Sequence, residues 1–343
     1  MKLAFRRQRL KTRQPFATFH GVTSEKETIV VELKYDGLVG LGEVVPSALY
    51  KQSLESAESA LVRMEAMLDW GPLAVEAVVR RLLTEFDDQR AAVCGVDAAL
   101  HDWIGKRLSV PVFRLLGLEP PQCRTMFTIG LSEPAAIREK VREALAAGFC
   151  ALKVKVGTDA DEQTLAIIRE VFDGPLFLDA NEAWSPAVAL DRLRRFARFR
   201  PTVVEQPVAR PDWQALAGLS RLGVALIIAD ESCQRPADIL RLHGYVDGVN
   251  IKLDKCGGIR EALRMIGLAR TLGMQVMLGC FVSSSLAIAP ALALASLADY
   301  VDLDGHLLLA EDPFEGISCF AGKLELSDRP GLGVRPRTAW PQP

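Results

Sequence analysis

The chain has 343 residues, with 41 Lys and Arg against 43 Asp and Glu, a formal charge of −2. Hydrophobic residues make up 49% and charged residues 24%, which fits a globular chain with a substantial core. This composition excludes a disordered chain and a small disulfide-stapled scaffold, and the near-zero charge argues against a dedicated nucleic-acid binder.

The first 60 residues read as sheet. The run TIVVEL at Thr28–Leu33 is followed by Asp36-Gly37 and a second run at Leu38–Val44. A DG pair between apolar runs predicts a hairpin. The N-terminal MKLAFRRQRLKTRQPF is basic but lacks an apolar stretch, so it is not read as a signal peptide. Helical periodicity covers 52–67 and 73–86, and a longer amphipathic helix is expected over Asp88–Leu108, ending before Pro111.

From about residue 124 the rhythm changes. The runs MFTIG, ALKVKVG, LFLDAN, TVVEQP, LIIADES, GVNIKL, QVMLGC and VDLD alternate with helical segments such as Pro134–Ala147 and Asp161–Phe172. Eight strand candidates with helices between them indicate repeated β/α units. The stretch CFVSSSLAIAPALALASLAD at 280–299 is apolar enough to suggest a membrane span. It reads better as a buried strand followed by a packed helix. The tail from residue 311 is rich in Pro, Gly and charge, and is expected to pack back on the first domain. The resulting division is 1–122, an α+β capping domain, 123–310, a barrel, and 311–343, the tail. Seven cysteines at 94, 123, 150, 233, 256, 280 and 319 show no CxxC spacing. They are expected to be mostly buried thiols in a reducing, cytoplasmic compartment.

Polar residues close the apolar runs: Lys155, Asp179, Glu205, Asp230, Lys252 and Asp302. From 155 to 252 they are spaced by 24, 26, 25 and 22 residues, one strand, one helix and two loops each time. In a TIM-like barrel such ends converge on one face; a doubly wound open sheet would not gather so many. A single strand-end carboxylate is most simply a cap or an ion-pair partner. Asp179, Glu205 and Asp230 stand at matching positions in consecutive units, and like charges share a site only around a cation. Oxygen ligands without His or Cys favour Mg²⁺, with Mn²⁺ as substitute.

Lys153 and Lys155 alternate with Val154 and Val156, so both lysines face one side of their strand. Lys252 lies four units later, across a barrel. Salt bridges to the acidic cluster are the plain alternative for these lysines. A lysine beside a second lysine and a metal has a lowered pKa and can act as a base. Two lysines on opposite faces of one carbon would exchange its proton, while a metal stabilised the enediolate. That arrangement serves racemisation or epimerisation, and equally syn elimination or cycloisomerisation.

These residues resemble the enolase superfamily, muconate-lactonizing subgroup. The resemblance runs through GLGEVVP at 40–46, VCGVDAALHDWIGKRLSVPVFRLLG at 93–117, LKVKVG at 152–157, LDAN at 178–181, EQP at 205–207, ADES at 229–232 and NIKLDKCGG at 250–258. It implies a (β/α)₇β modified TIM barrel under an N-terminal α+β capping domain whose loops close over the substrate. It also implies Asp179, Glu205 and Asp230 as ligands of one Mg²⁺ per subunit, and Lys155 and Lys252 as the two acid/base catalysts. Lys153 is then a substrate-carboxylate contact. Lys252 is preferred to Lys255 because it falls in the strand, whereas Lys255 opens a Gly-rich loop.

The last run, VDLDGH, carries Asp302 and Asp304. This DxD resembles that of the dipeptide epimerases, whose carboxylates receive the substrate's α-ammonium group. The implied substrate is therefore a dipeptide, L-Ala-D/L-Glu in the first place, with murein peptide recycling as the implied context. Other dipeptides, or o-succinylbenzoate synthase, N-succinylamino acid racemase and muconate cycloisomerase activities, are the alternatives. Where some relatives carry an Arg for the distal carboxylate, this chain has His20, with Lys26 nearby. Thr128 is a further candidate substrate contact. Homo-oligomerisation is implied; no nucleic-acid or membrane partner is.

Overall fold

A computed structural model describes residues 1–338. The N-terminal part opens with a three-stranded antiparallel sheet: β1 (Lys2–Thr18), β2 (Gly21–Tyr35) and β3 (Leu38–Val44). The predicted hairpin joins β2 to β3. Asp36 and Gly37 have φ of 46° and 73°, the positive pair that a tight two-residue hairpin turn needs. Strand β1 is an addition, because its five basic residues between Arg6 and Arg13 hide the apolar alternation. In the fold those charges find acids: Arg7 pairs with Glu55 and Glu58, and Arg9 with Glu25 and Glu27.

The β1–β2 register slips between Lys11 and Phe16, around Pro15, as a proline without an N–H donor requires. Beyond the slip the ribbon continues as a flap whose turn carries His20. Its base is tied to the barrel through Arg13 N to Leu308 O (2.9 Å), Ala310 N to Lys11 O (2.8 Å) and Leu131 N to Ala17 O (2.8 Å).

Helices α1 (Leu54–Glu65), α2 (Val75–Glu85), α3 (Arg90–Leu108) and α4 (Val112–Leu115) follow. Helix α3 is not amphipathic as expected: every residue from Arg90 to Gly105 is buried. It is a central helix, pressed between the N-terminal sheet and the α10–α11 region. Glycines permit the contact. A Cβ on Gly42 would sit 2.0 Å from Gly95 O, and one on Gly40 the same distance from Ala99 O.

All eight predicted runs form one parallel sheet in which each strand pairs with the next in the chain. After the short β4 (Gln122–Arg124) they are β5 (Phe127–Ile129), β6 (Leu152–Lys155), β7 (Leu176–Asp179) and β8 (Val203–Glu205). The remaining four are β9 (Leu226–Ala229), β10 (Gly248–Ile251), β11 (Gln275–Gly279) and β12 (Tyr300–Asp302). This order is singly wound, which excludes the doubly wound alternative. The sheet curls until its ends meet through side chains rather than a ladder. Thr128 N donates to Asp304 Oδ2 (2.9 Å), and Leu303 N donates to Thr125 Oγ1 (2.9 Å).

The intervening helices are α5 (Pro134–Ala146), α6 (Asp161–Arg169), α7 (Pro186–Phe196), α8 (Trp213–Ser220) and α9 (Pro236–Leu242). Then come α10 (Leu253–Cys256), α11 (Ile259–Thr271) and α12 (Ser285–Leu292). Outward-facing Val154, Leu178, Val204, Ile227, Val249 and Leu278 join the helices in one core, each burial contributing about 1.5–3 kcal/mol. The inward set, Met126, Phe177, Val203, Ile228 and Met277, makes a separate apolar floor.

Residues 280–284 are a loop, not a strand; the strand ends at Gly279 and α12 starts at Ser285, capped by Ser284. Among the described residues no helix is long and apolar enough to cross a membrane. After residue 311, Ile317–Phe320 and Lys323–Leu326 extend a small sheet onto β4. Gly331 and Leu332 bond to Val110, Val112 and Asp102; Ala339–Pro343 of the expected tail lie outside the described residues. Three of the seven free cysteines are buried (Cys94, Cys233, Cys256), three are half-buried and Cys150 is exposed. That is fewer buried than expected, because several fall on loops and edge strands.

Candidate active site

Period two turns the apolar floor into a polar mouth. Along the strands, Phe177 is followed on the same face by Asp179, Val203 by Glu205, Ile228 by Asp230, and Tyr300 by Asp302. Parallel pairing puts Lys155 opposite Asp179 and Asp179 opposite Glu205. The polar ends therefore stand side by side at the C-terminal rim, where a barrel presents its chemistry.

The three predicted ligand carboxylates are almost completely buried. Lysines bridge them. Lys153 Nζ lies 3.1 Å from Asp179, 2.8 Å from Glu205 and 2.6 Å from Asp302. Lys155 Nζ is 2.5 Å from Asp179, and Lys252 Nζ is 2.7 Å from Asp230. Lys255, on α10 rather than in a loop, bonds to Asp230 and to Asn250 O. Lys252 itself sits one residue past the end of β10, not inside it.

These pairings set the protonation states. Burial pushes Asp179 up, but Lys155, Lys153 and Lys252 outweigh it and hold it below the usual carboxylate range. Asp230 is likewise held low by Lys252 and Lys255 against burial. Glu205, buried beside Asp179, is pushed up to about 8. Burial pulls Lys252 down, yet Asp230 and Glu205 outweigh it and keep it above its ordinary value. Lys153 follows the same pattern. Both directions follow from the carboxylates that face these two ammonium groups.

The residues present fit a hard divalent cation. Six carboxylates (Asp179, Glu205, Asp230, Glu231, Asp302, Asp304) meet four lysines (Lys153, Lys155, Lys252, Lys255). Among the described residues Glu205 Oε2 has no partner with hydrogen-bond geometry, despite its nearness to Lys153. A buried oxygen in that state gains from a cation. A group whose ligand atoms already lie within 4.8 Å of one another, suitable for a divalent metal, is a different one: His20, Glu182 and Glu231.

The substrate-contact candidates are distributed as follows. Thr128 does more than line the site: its N–H holds Asp304, and its hydroxyl is 3.5 Å from Asp302. Burial and Asp302 push Asp304 up to about 7. His20, on the flap, lies 3.4 Å from Glu231 Oε1, which raises the imidazole pKa. Lys26 donates to Pro46 O (2.7 Å).

A cavity of about 540 Å³ runs between flap and barrel. It is bounded by Phe16, His20, Lys26, Tyr50, Lys155 and Lys252, among others. A smaller pocket of about 50 Å³ continues from Lys153, Lys155 and Lys252 to Asp302 and Asp304. Phe281 places its ring 5.0 Å from Lys252 Nζ.

Sequence reasoning passed over Asn181, Gln206, Glu231 and Asn250. Asn250 donates to Glu205 (2.8 Å), and Asn181 to Glu231 (3.0 Å). Gln206 accepts from Asp230 N (3.0 Å). Their signal was offset: each is one or two residues from a strand-end charge. Asn181, Glu182 and Gln206 have φ of 45°, 68° and 36°, a concentration of backbone strain worth about 1–3 kcal/mol each.

Two family models match the chain. "Mandelate racemase / muconate lactonizing enzyme, N-terminal domain" covers residues 1–117, and "Enolase C-terminal domain-like" covers 136–340. The L-Ala-D/L-Glu epimerase of Bacteroides thetaiotaomicron is 36% identical over 97% of this chain and 88% of that protein. A hydrophobic dipeptide epimerase of Roseobacter litoralis is 34% identical over 97% and 98%. The crystal structure of an Enterococcus faecalis dipeptide epimerase, complexed with Mg and L-Leu-L-Tyr, superimposes with a TM-score of 0.93 at 33% identity, covering 97% and 98% of the two chains. With its eight-stranded parallel barrel beneath a β-rich cap, the chain belongs to the enolase superfamily, in the muconate-lactonizing and dipeptide-epimerase subgroup, and is an isomerase.

Proposed function

We propose that the protein is an Mg²⁺-dependent dipeptide epimerase that inverts the α-carbon of the C-terminal residue, with L-Ala-D/L-Glu as its substrate pair. The observation that carries the reading is the placement of Lys155 and Lys252. They project from β6 and from the end of β10, four strands apart, into one pocket that ends at Asp302 and Asp304.

Asp179, Glu205 and Asp230 would hold Mg²⁺, which draws charge from the substrate carboxylate and so acidifies the α-proton. Lys153 joins two of those carboxylates to Asp302, and so links the carboxylate end of the site to the ammonium end. One lysine removes the α-proton as the other returns a proton to the opposite face. Asp302 and Asp304, steadied by Thr128, take the α-ammonium. The flap covers the cavity, and His20, whose imidazole pKa is raised by Glu231, is available to the distal carboxylate.

A second reading is supported by Phe16, Tyr50, Phe281 and Val282, which give the cavity apolar walls. They favour a hydrophobic dipeptide. A dipeptide library incubated with Mg²⁺ separates the two. Turnover of L-Ala-L-Glu above apolar dipeptides supports the first reading. The reverse order supports the second, and turnover of N-succinylamino acids alone would remove both.

A further inference from the structure

We infer that His20, Glu182 and Glu231 form a second divalent-cation site, separate from Asp179, Glu205 and Asp230, that clasps the flap to the barrel and takes a borderline ion such as Zn²⁺.

The three residues come from three places. His20 is on the β1–β2 turn; Glu182 follows β7 and Glu231 follows β9. One ligand atom from each lies within 4.8 Å of the other two. One nitrogen and two carboxylate oxygens are a zinc-type donor set with room for a fourth ligand, whereas Mg²⁺ prefers oxygen alone.

A second observation points to a ligand. The Glu231 side chain is 2% exposed, and its Oε2 has no hydrogen-bond partner among the described residues, whereas Oε1 accepts from Asn181 and meets His20. A buried carboxylate oxygen without a donor is costly, and a cation held by Glu231 would satisfy it. Glu182 Oε1 is taken by Arg210 N and Nε (2.8 and 3.0 Å), which leaves Oε2 for the ion.

The flap base is already fixed by its backbone bonds to Leu308, Ala310 and Leu131. Beyond residue 17 the tip that carries His20 meets the barrel through the His20–Glu231 contact. An ion there ties the tip to two barrel loops. Zinc would also compete with a substrate carboxylate for His20, which makes it an inhibitor of an enzyme running on Mg²⁺. The site itself does not depend on the dipeptide reading.

The test is calorimetric titration of Zn²⁺ into the full chain saturated with Mg²⁺, together with amide hydrogen exchange of residues 16–24. The wild type should bind one zinc per chain more than His20→Ala. Glu182→Gln, which keeps the acceptor for Arg210, should weaken that ion at least about tenfold. Zinc should slow exchange at the flap tip about tenfold in the wild type and not in His20→Ala. Equal zinc stoichiometry and affinity in wild type and His20→Ala would overturn the site. Flap exchange unaffected by bound zinc would overturn the clasp.

Discussion

Replacing Lys153 by Met keeps an unbranched side chain of similar volume and removes the ammonium group with its charge and its N–H donors. In the folded protein Lys153 is 2% exposed and lies 2.6, 2.8 and 3.1 Å from Asp302, Glu205 and Asp179. Without it Asp179 keeps Lys155, while Glu205 and Asp302 keep no ion-pair partner among the described residues. Breaking a buried ion pair from one side costs about 3–5 kcal/mol, and that loss is expected near pH 7.5. The sign of the pH dependence follows. A carboxyl whose folded pKa lies above its unfolded value contributes stability in full below the unfolded pKa and loses it as pH rises through the folded one. Glu205 stands at about 8 in the wild type as well and cancels between the two proteins below that pH; the difference falls on Asp179, which loses one of the lysines that hold it low. The deficit should therefore shrink toward pH 5, by about 1.4 kcal/mol per pH unit for each group that takes up a proton. Urea denaturation of both proteins at pH 5 and 7.5 measures it. A deficit of the same size at both pH values would refute the electrostatic account, and one below about 1 kcal/mol at pH 7.5 would deny Lys153 its linking role.

Asp254 is pushed up to about 7 by burial and Glu43. Its ionisation opposes folding as pH climbs from about 4 to 7. Asp254→Asn should thus raise the thermal midpoint at pH 8 more than at pH 5; equal shifts would point to packing instead. Asp304→Asn keeps the acceptor for Thr128 N and removes a charge. It should raise KM for a dipeptide with a free ammonium group about 10- to 100-fold and leave KM for an N-acylated analogue unaltered.

Much of the fold was readable because its pattern repeats. The eight apolar runs each close on a polar residue, and the same spacing from Lys155 to Lys252 placed them on one rim. Strand β1 was hidden because its charges pair across a solvated edge with Glu25, Glu27, Glu55 and Glu58, contacts that local alternation does not report. Helix α3 looked amphipathic because Asp97, His101 and Asp102 are polar. Each is buried against distant backbone or its own turn: Asp97 caps Ile259 N, Asp102 holds Leu41 N and Leu332 N, and His101 bonds to Asp97 O. The lysines were legible as neighbours of the acids, but not the distances that make Lys153 a three-way link. His20 meeting Glu231 joins residues 211 apart in the chain, and no spacing rule reaches that far.

The central claim is that Lys155 and Lys252 act on opposite faces of one α-carbon. Incubation of L-Ala-L-Glu and of L-Ala-D-Glu with Mg²⁺ in D₂O, followed by NMR of the Glu α-proton, tests it most directly. The wild type should wash the proton out of both isomers as it interconverts them. Lys155→Ala and Lys252→Ala should each stop interconversion while retaining exchange in one isomer, a different one for each variant. Retention of full epimerisation by either variant, or exchange of the same isomer by both, would contradict the two-base account.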